Sequence, residues 1–175
     1  MSNPSEAHIR AFGLLIYHYA SVETGLKIAI CGMLKTNLAD VLILSQPYGS
    51  LDLRRVTKSI AKERTWKDPK HLDQIICIIG EMKPISGLRN YIAHSRWTDG
   101  SRPGSIKPRH VDIRNEKAEF HGDIDTEADW TASEIENQAQ TLIKLNVRLI
   151  NWLQETGLRA IIDKNIASAS AEIAE

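Results

Sequence analysis

The sequence has no surplus of either charge: 22 Lys and Arg balance 22 Asp and Glu, for a formal net charge of +0. Without an overall field, any contact with a polyanion must come from a local patch. Cysteine is nearly missing. The 2 present, Cys31 and Cys77, sit inside apolar helical runs without a ligand-spaced partner. That excludes a disulfide framework or thiolate metal centre and reads both as small core residues. No apolar run reaches the roughly 20 residues of a membrane span. The start, Met1-Ser2-Asn3-Pro4-Ser5-Glu6, lacks signal-peptide character. A cytoplasmic protein with no membrane partner is the expectation. His8, His18, His71, His94, His110 and His121 lack the short paired spacings of zinc sites, so neither metal nor cofactor is expected. A phosphate-cradling glycine loop, a nucleophile elbow and internal repeats are also missing.

What is present is helical periodicity. A chain of 175 residues suits a single domain with a real core. Ile9, Phe12, Ile16, Tyr19, Glu23, Leu26, Ile30 and Met33 recur every three or four residues after Ser5, a candidate N-cap, and predict a long amphipathic helix. Glu23 occupies an apolar slot. It is either a helix-edge carboxylate turned to water or a semi-buried partner for Arg89 or for Asn90 and His94. A short helix is expected over 37–45. Another, opened by Ser50, should pack through Leu53, Val56 and Ile60 and carry Arg54, Arg55, Lys58, Lys62 and Arg64 outward. That basic side is either a solvated face or a track for phosphates.

A central helix follows Asp68-Pro69 through Leu72, Ile75, Ile76, Ile79 and Met82, with a kink or restart expected at Pro84. Residues 98–129 read as an insertion. It opens on a flexible loop over 98–105 and continues as a hairpin of Val111 and Ile113 against Ala118 and Phe120, turning at Asn115-Glu116. Thr131-Ala132-Ser133-Glu134 is a capping box that starts a last long helix through Ile135, Leu142, Leu145, Leu149 and Trp152, stopped near Gly157. A short helix from Leu158 and a frayed tail over 167–175 complete the chain. The fold class is all-α: a bundle of four to six helices with a small hairpin inserted before the last long one.

The chemistry concentrates in Leu88-Arg89-Asn90-Tyr91-Ile92-Ala93-His94-Ser95, where the central helix leaves its apolar run. Asn90 and His94 are one helical turn apart and share a face, so the amide can hold one imidazole nitrogen and leave the other for proton transfer. Arg89 adds a planar fork suited to phosphate. It points away from His94 by about 140° on a straight helix of about 3.6 residues per turn. The two therefore meet only if Arg89 bends round or two copies of the helix face each other. Arg96, Arg102, Lys107 and Arg109 follow as a basic block, and an acidic stretch comes after it. These cations read either as clamps on RNA phosphates or as an ordinary solvated insertion.

Arg89-Asn90 with His94 after four intervening residues, late in a core helix of an all-helical chain, resembles the signature of the HEPN superfamily. The likeness in helix order runs over about residues 7–155. Residue by residue it rests on Arg89, Asn90 and His94. It implies a metal-independent endoribonuclease acting as a homodimer through the motif-bearing helix. His94 would be the general acid or base, Arg89 the transition-state clamp and Asn90 the orienting or phosphate-binding group. A toxin, abortive-infection or defence setting is implied, with an antitoxin or partner protein. The superfamily also contains non-catalytic RNA-binding or protein-interaction modules. In the toxin branch partnered by a small nucleotidyltransferase, a tyrosine follows two residues after the histidine. Here that position is Arg96, which puts that particular partnership in doubt.

Overall fold

The computed structural model describes residues 4–64, 68–114, 117–121 and 129–163, with the backbone alone at 110–114 and 117–121. The expected tail at 167–175 and the 115–116 turn lie outside the described residues. The chain is mostly helical and carries a small antiparallel sheet. Its elements are α1 (Glu6–Leu34), α2 (Leu38–Leu44), α3 (Ser50–Arg64), α4 (Pro69–His94), β1 (Arg96–Asp99), β2 (Ser105–Arg114), β3 (Lys117–His121), β4 (Trp130–Thr131) and α5 (Ala132–Glu155). Residues 158–163 are also helical. The chain divides into two compact units, Met1–Tyr19 with Lys83–Leu142 and Ala20–Met82 with Ile143–Glu175.

Helix α1 starts where Ser5 predicts. The His8 backbone N–H donates to Ser5 Oγ at 3.4 Å, and the His8 ring Nδ1 meets that hydroxyl at 2.7 Å. The imidazole thus takes the place that a glutamate holds in a capping box. Tyr19, Leu26, Ile30 and Met33 are buried as expected, whereas the first turns of α1 bury a side offset from the expected one. It runs through His8, Ala11 and Leu15 toward Tyr19 and Val22, and Ile9 stands 60% exposed. Alanine and valine can line a close helix contact while adding little to an apolar count, so the larger side chains at Ile9, Phe12 and Ile16 pull the expectation one position off.

In the first unit, α4 runs unbroken through Pro84 and buries Ile85 and Leu88. The sheet has the order β1-β2-β3, and β4 also pairs with β2. The hairpin is as expected, with Val111 opposite Phe120 and Ile113 opposite Ala118. Strand β1 corrects the flexible loop: Thr98 and Asp99 pair with Lys107 and Ile106, leaving a connection over 100–104. Its turn, Arg102-Pro103-Gly104-Ser105, closes with the Ser105 N–H donating to the Arg102 carbonyl at 3.0 Å. Gly104 takes φ +70°, the left-handed conformation that the third residue of a type II turn requires after proline. Trp97 packs on Phe12 of α1, with ring centroids 4.9 Å apart.

In the second unit, Asn37 caps α2 by accepting the Ala39 N–H at 2.8 Å. Helix α3 buries Leu53, Arg54, Thr57 and Ala61, a face rotated from the expected Leu53, Val56 and Ile60. Trp152 is 1% exposed, and its indole N–H donates to the His71 carbonyl at 2.8 Å. Truncating a buried side chain of this size typically costs about 3–5 kcal/mol. Cys31 is buried as expected, whereas Cys77 is exposed. The Cys77 thiol donates to Glu81 at 3.1 Å, and Arg148 holds Glu81 through two bonds of 2.8 and 2.9 Å. The Arg148 guanidinium, with the Cys77 contact, holds the Glu81 carboxyl below the usual range. Among the described residues, no helix is long and apolar enough to cross a membrane.

Candidate functional site

Helix α4 ends at His94, and the Ser95 N–H still donates to the Tyr91 carbonyl at 2.9 Å. Arg89 is half-buried, whereas Asn90 and His94 are exposed. The guanidinium of Arg89 sits 5.8 Å from the centre of the Tyr19 ring, a cation–π seat on a side chain 1% exposed. Its Nη1 donates to Asn90 Oδ1 at 3.2 Å. This bond brings the guanidinium to Asn90, one helical turn from His94. The expected Asn90–His94 bond is replaced by the Arg89–Asn90 bond. Among the described residues, His94 makes no hydrogen bond or ion pair that would fix its tautomer.

Two residues past His94 the chain enters β1. Arg96 lies directly opposite Arg109 in the β1–β2 ladder, and Thr98 lies opposite Lys107. Side chains alternate along a strand and match across it, so Arg96, Thr98, Lys107 and Arg109 share one face. Trp97, Asp99, Ile106 and Pro108 share the other, which carries the Trp97–Phe12 contact. Three of the cations expected to meet RNA are therefore gathered on one side of a ladder that begins where the motif helix ends. Arg96 and Arg109 are exposed, and Lys107 is half-buried. Like charges directly opposite on paired strands are unfavourable. On the same face, the Thr98 hydroxyl is buried and without a hydrogen-bond partner among the described residues.

Arg102 departs from the expectation. It gives Nη1 and Nη2 to the two Glu134 oxygens at 2.8 Å each and Nη2 to the Asp129 carbonyl at 2.6 Å. Glu134 closes the expected capping box, accepting the Thr131 N–H at 2.8 Å while its own N–H donates to Thr131 Oγ1 at 3.2 Å. The Arg102 fork, then the Thr131 N–H, pull the Glu134 carboxyl down to about 2. Beside them the buried Asp129 carboxylate accepts from the Ser101 N–H and hydroxyl, and these bonds hold it below the usual range. Gly100 is required here: a Cβ would stand 2.1 Å from Ser105 Oγ. Arg102 is thus a structural tie between the β1–β2 turn and the start of α5.

The remaining candidates lie in the second unit. Arg54 is 7% exposed and donates Nε to the Ser50 carbonyl at 3.3 Å, so it drops out of an exposed phosphate track. Arg55 and Lys58 stay exposed, with Arg55 3.7 Å from Asp52. Glu23 is half-buried and has no hydrogen bond or ion pair among the described residues. No group of three or more His, Cys, Asp or Glu gathers to hold a metal among the described residues. The sequence reading missed Tyr19 as the seat of Arg89, because an aromatic in a helical apolar stripe signals only core. No protein-family model, curated protein or solved structure matches the chain.

Proposed function

We propose that this chain is a HEPN-like domain and a metal-independent endoribonuclease, with Arg89, Asn90 and His94 as the reacting centre and Arg96, Lys107 and Arg109 as its contacts to the RNA backbone. The observation that carries the reading is the exposed Arg96–Arg109 pair, directly opposed across β1 and β2 and two residues past an exposed His94. A phosphate between the two guanidinium groups turns their repulsion into paired, charge-assisted contacts. The Arg89–Asn90 bond is further support, since it brings the guanidinium to a residue one helical turn from His94.

In the reaction, His94 takes the proton of a ribose 2′-hydroxyl. The 2′-oxygen bonds to the adjacent phosphorus and the 5′-oxygen leaves with a proton, giving a 2′,3′-cyclic phosphate and a 5′-hydroxyl. Arg89 holds the charge on the non-bridging oxygens in the transition state. Two copies of the motif helix facing one cleft supply a base and an acid together, and a cytoplasmic homodimer is the working form. Its defensive role and an antitoxin partner belong to the same reading.

A second reading, an RNA-binding module that does not cleave, is favoured by one observation: Asn90 Oδ1 is taken by Arg89, which leaves His94 without an orienting partner among the described residues. Incubating the purified protein with mixed RNA and a chelator separates the two. Cleavage that is lost in Arg89→Ala and His94→Ala supports the nuclease. Retention of RNA without cleavage, weakened by Arg96→Ala and Arg109→Ala, supports the module. Neither cleavage nor retention ends both.

A further inference from the structure

The surface of α2 and the start of α3 is not used by that site. Leu42, Ile43 and Leu44 are 42%, 67% and 70% exposed, and Tyr48 and Leu51 follow at 42% and 51%. Only Val41 of α2 is buried. A run of large apolar side chains this exposed is far from the scattered single residues that need no explanation. From Leu51 onward the exposed side chains change chemistry. On a helix of about 3.6 residues per turn, Leu51, Arg55, Lys58 and Lys62 fall within an arc of about 60°, and all four are exposed. The nearest acids are Asp40 on α2, the exposed Glu63 beside Lys62, and Asp52, which meets Arg55 at 3.7 Å with both side chains more than half exposed, a pairing that counts for little.

We infer that this surface docks on an anionic lipid bilayer: Ile43 and Leu44 enter the acyl boundary, Tyr48 lies at the headgroup level, and Arg55, Lys58 and Lys62 meet lipid phosphates. Three features of the surface select this occupant. The apolar side chains project outward, which suits a deformable medium. The cationic stripe selects against a second copy, since it would bring like charges together. Aliphatic side chains give RNA bases little to stack on, unlike the β1–β2 face. Such docking needs no spanning helix, so it stands beside the absence of one. It differs from the expectation of no membrane partner, which rests on run length and the lack of signal-peptide character.

The test is sedimentation of the full chain with vesicles of phosphatidylcholine alone or mixed with phosphatidylserine, at low and physiological salt. The expected result is binding to the mixed vesicles only, weakened by salt. Arg55→Glu with Lys58→Glu should lower the partition at least tenfold, at about fivefold per charge removed near the surface. Ile43→Asp with Leu44→Asp should lower it by about tenfold or more. Both pairs are surface changes, and circular dichroism checks that they fold. Three results overturn the inference: no binding to the mixed vesicles or equal binding to both kinds, a dimer in solution that Ile43→Asp dissolves, or RNA retention that Arg55→Glu and Lys58→Glu abolish. RNA cleavage is scored separately through His94→Ala, so failure of one reading leaves the other standing.

Discussion

Arg102 and Arg96 lie six residues apart in one basic stretch and meet opposite fates. Arg102 is held by both oxygens of Glu134 and by the Asp129 carbonyl. Arg96 faces another arginine across the ladder, with no carboxylate among the described residues to answer it. The first arrangement uses up its charge in tying a turn to a helix start. The second leaves its charge unspent, which is the feature on which the proposed RNA contact rests. A count of basic residues cannot separate the two, because the carboxylate that decides the matter is 32 positions away.

The contrast can be broken at either end. His94→Ala should lower RNA cleavage by about 10²–10⁴, the usual worth of a general acid or base, while leaving the thermal midpoint in place. An unchanged rate would remove the histidine from the chemistry. Gly100→Ala acts on the spent side. Its methyl meets Ser105 Oγ at 2.1 Å, and overpacking of this kind costs about 1–3 kcal/mol, readable as a shift in the urea midpoint with RNA retention intact after refolding.

Arg96→Ala and Arg109→Ala should each weaken RNA binding several-fold and lower the slope of log affinity against log salt by about one. Arg102→Ala should leave that slope alone. Equal slopes for all three would erase the distinction. The smallest effect is with acid. Glu134 titrates at about 2 when folded, below the roughly 4.3 of an unpaired glutamate. Its contribution is full above the upper value and is lost as pH falls through the lower. Glu134→Gln removes the charge while keeping a capping side chain, so it should flatten the fall in stability between those values by lowering stability above them, with little change in strong acid.

The parts of the fold that were legible are those whose signal is local. Ser5 and Thr131-Ala132-Ser133-Glu134 mark helix starts through bonds spanning three residues, and the hairpin register follows from alternation on both sides of 115–116. Strand β1 was illegible because four residues carry too little alternation, and its partner lies beyond a Pro-Gly turn that looks like open loop. Arg54 was misplaced because Thr57 and Ala61, which define the buried side of α3, add little to an apolar pattern. At the candidate site, the residue types Arg89, Asn90 and His94 were readable, while their pairing was not. Helical spacing favours Asn90 with His94, and a bond between sequence neighbours won because the Tyr19 ring holds the guanidinium in reach.

The Tyr19 seat also sets what can stand at position 89. A flat cation is clamped there between an aromatic plane and an amide oxygen, so its remaining N–H bonds are aimed before any substrate arrives. An ammonium on a flexible stem would keep the charge and lose the aim. Under the proposed reading, lysine at this position should still draw a polyanion, yet hold it in no particular orientation.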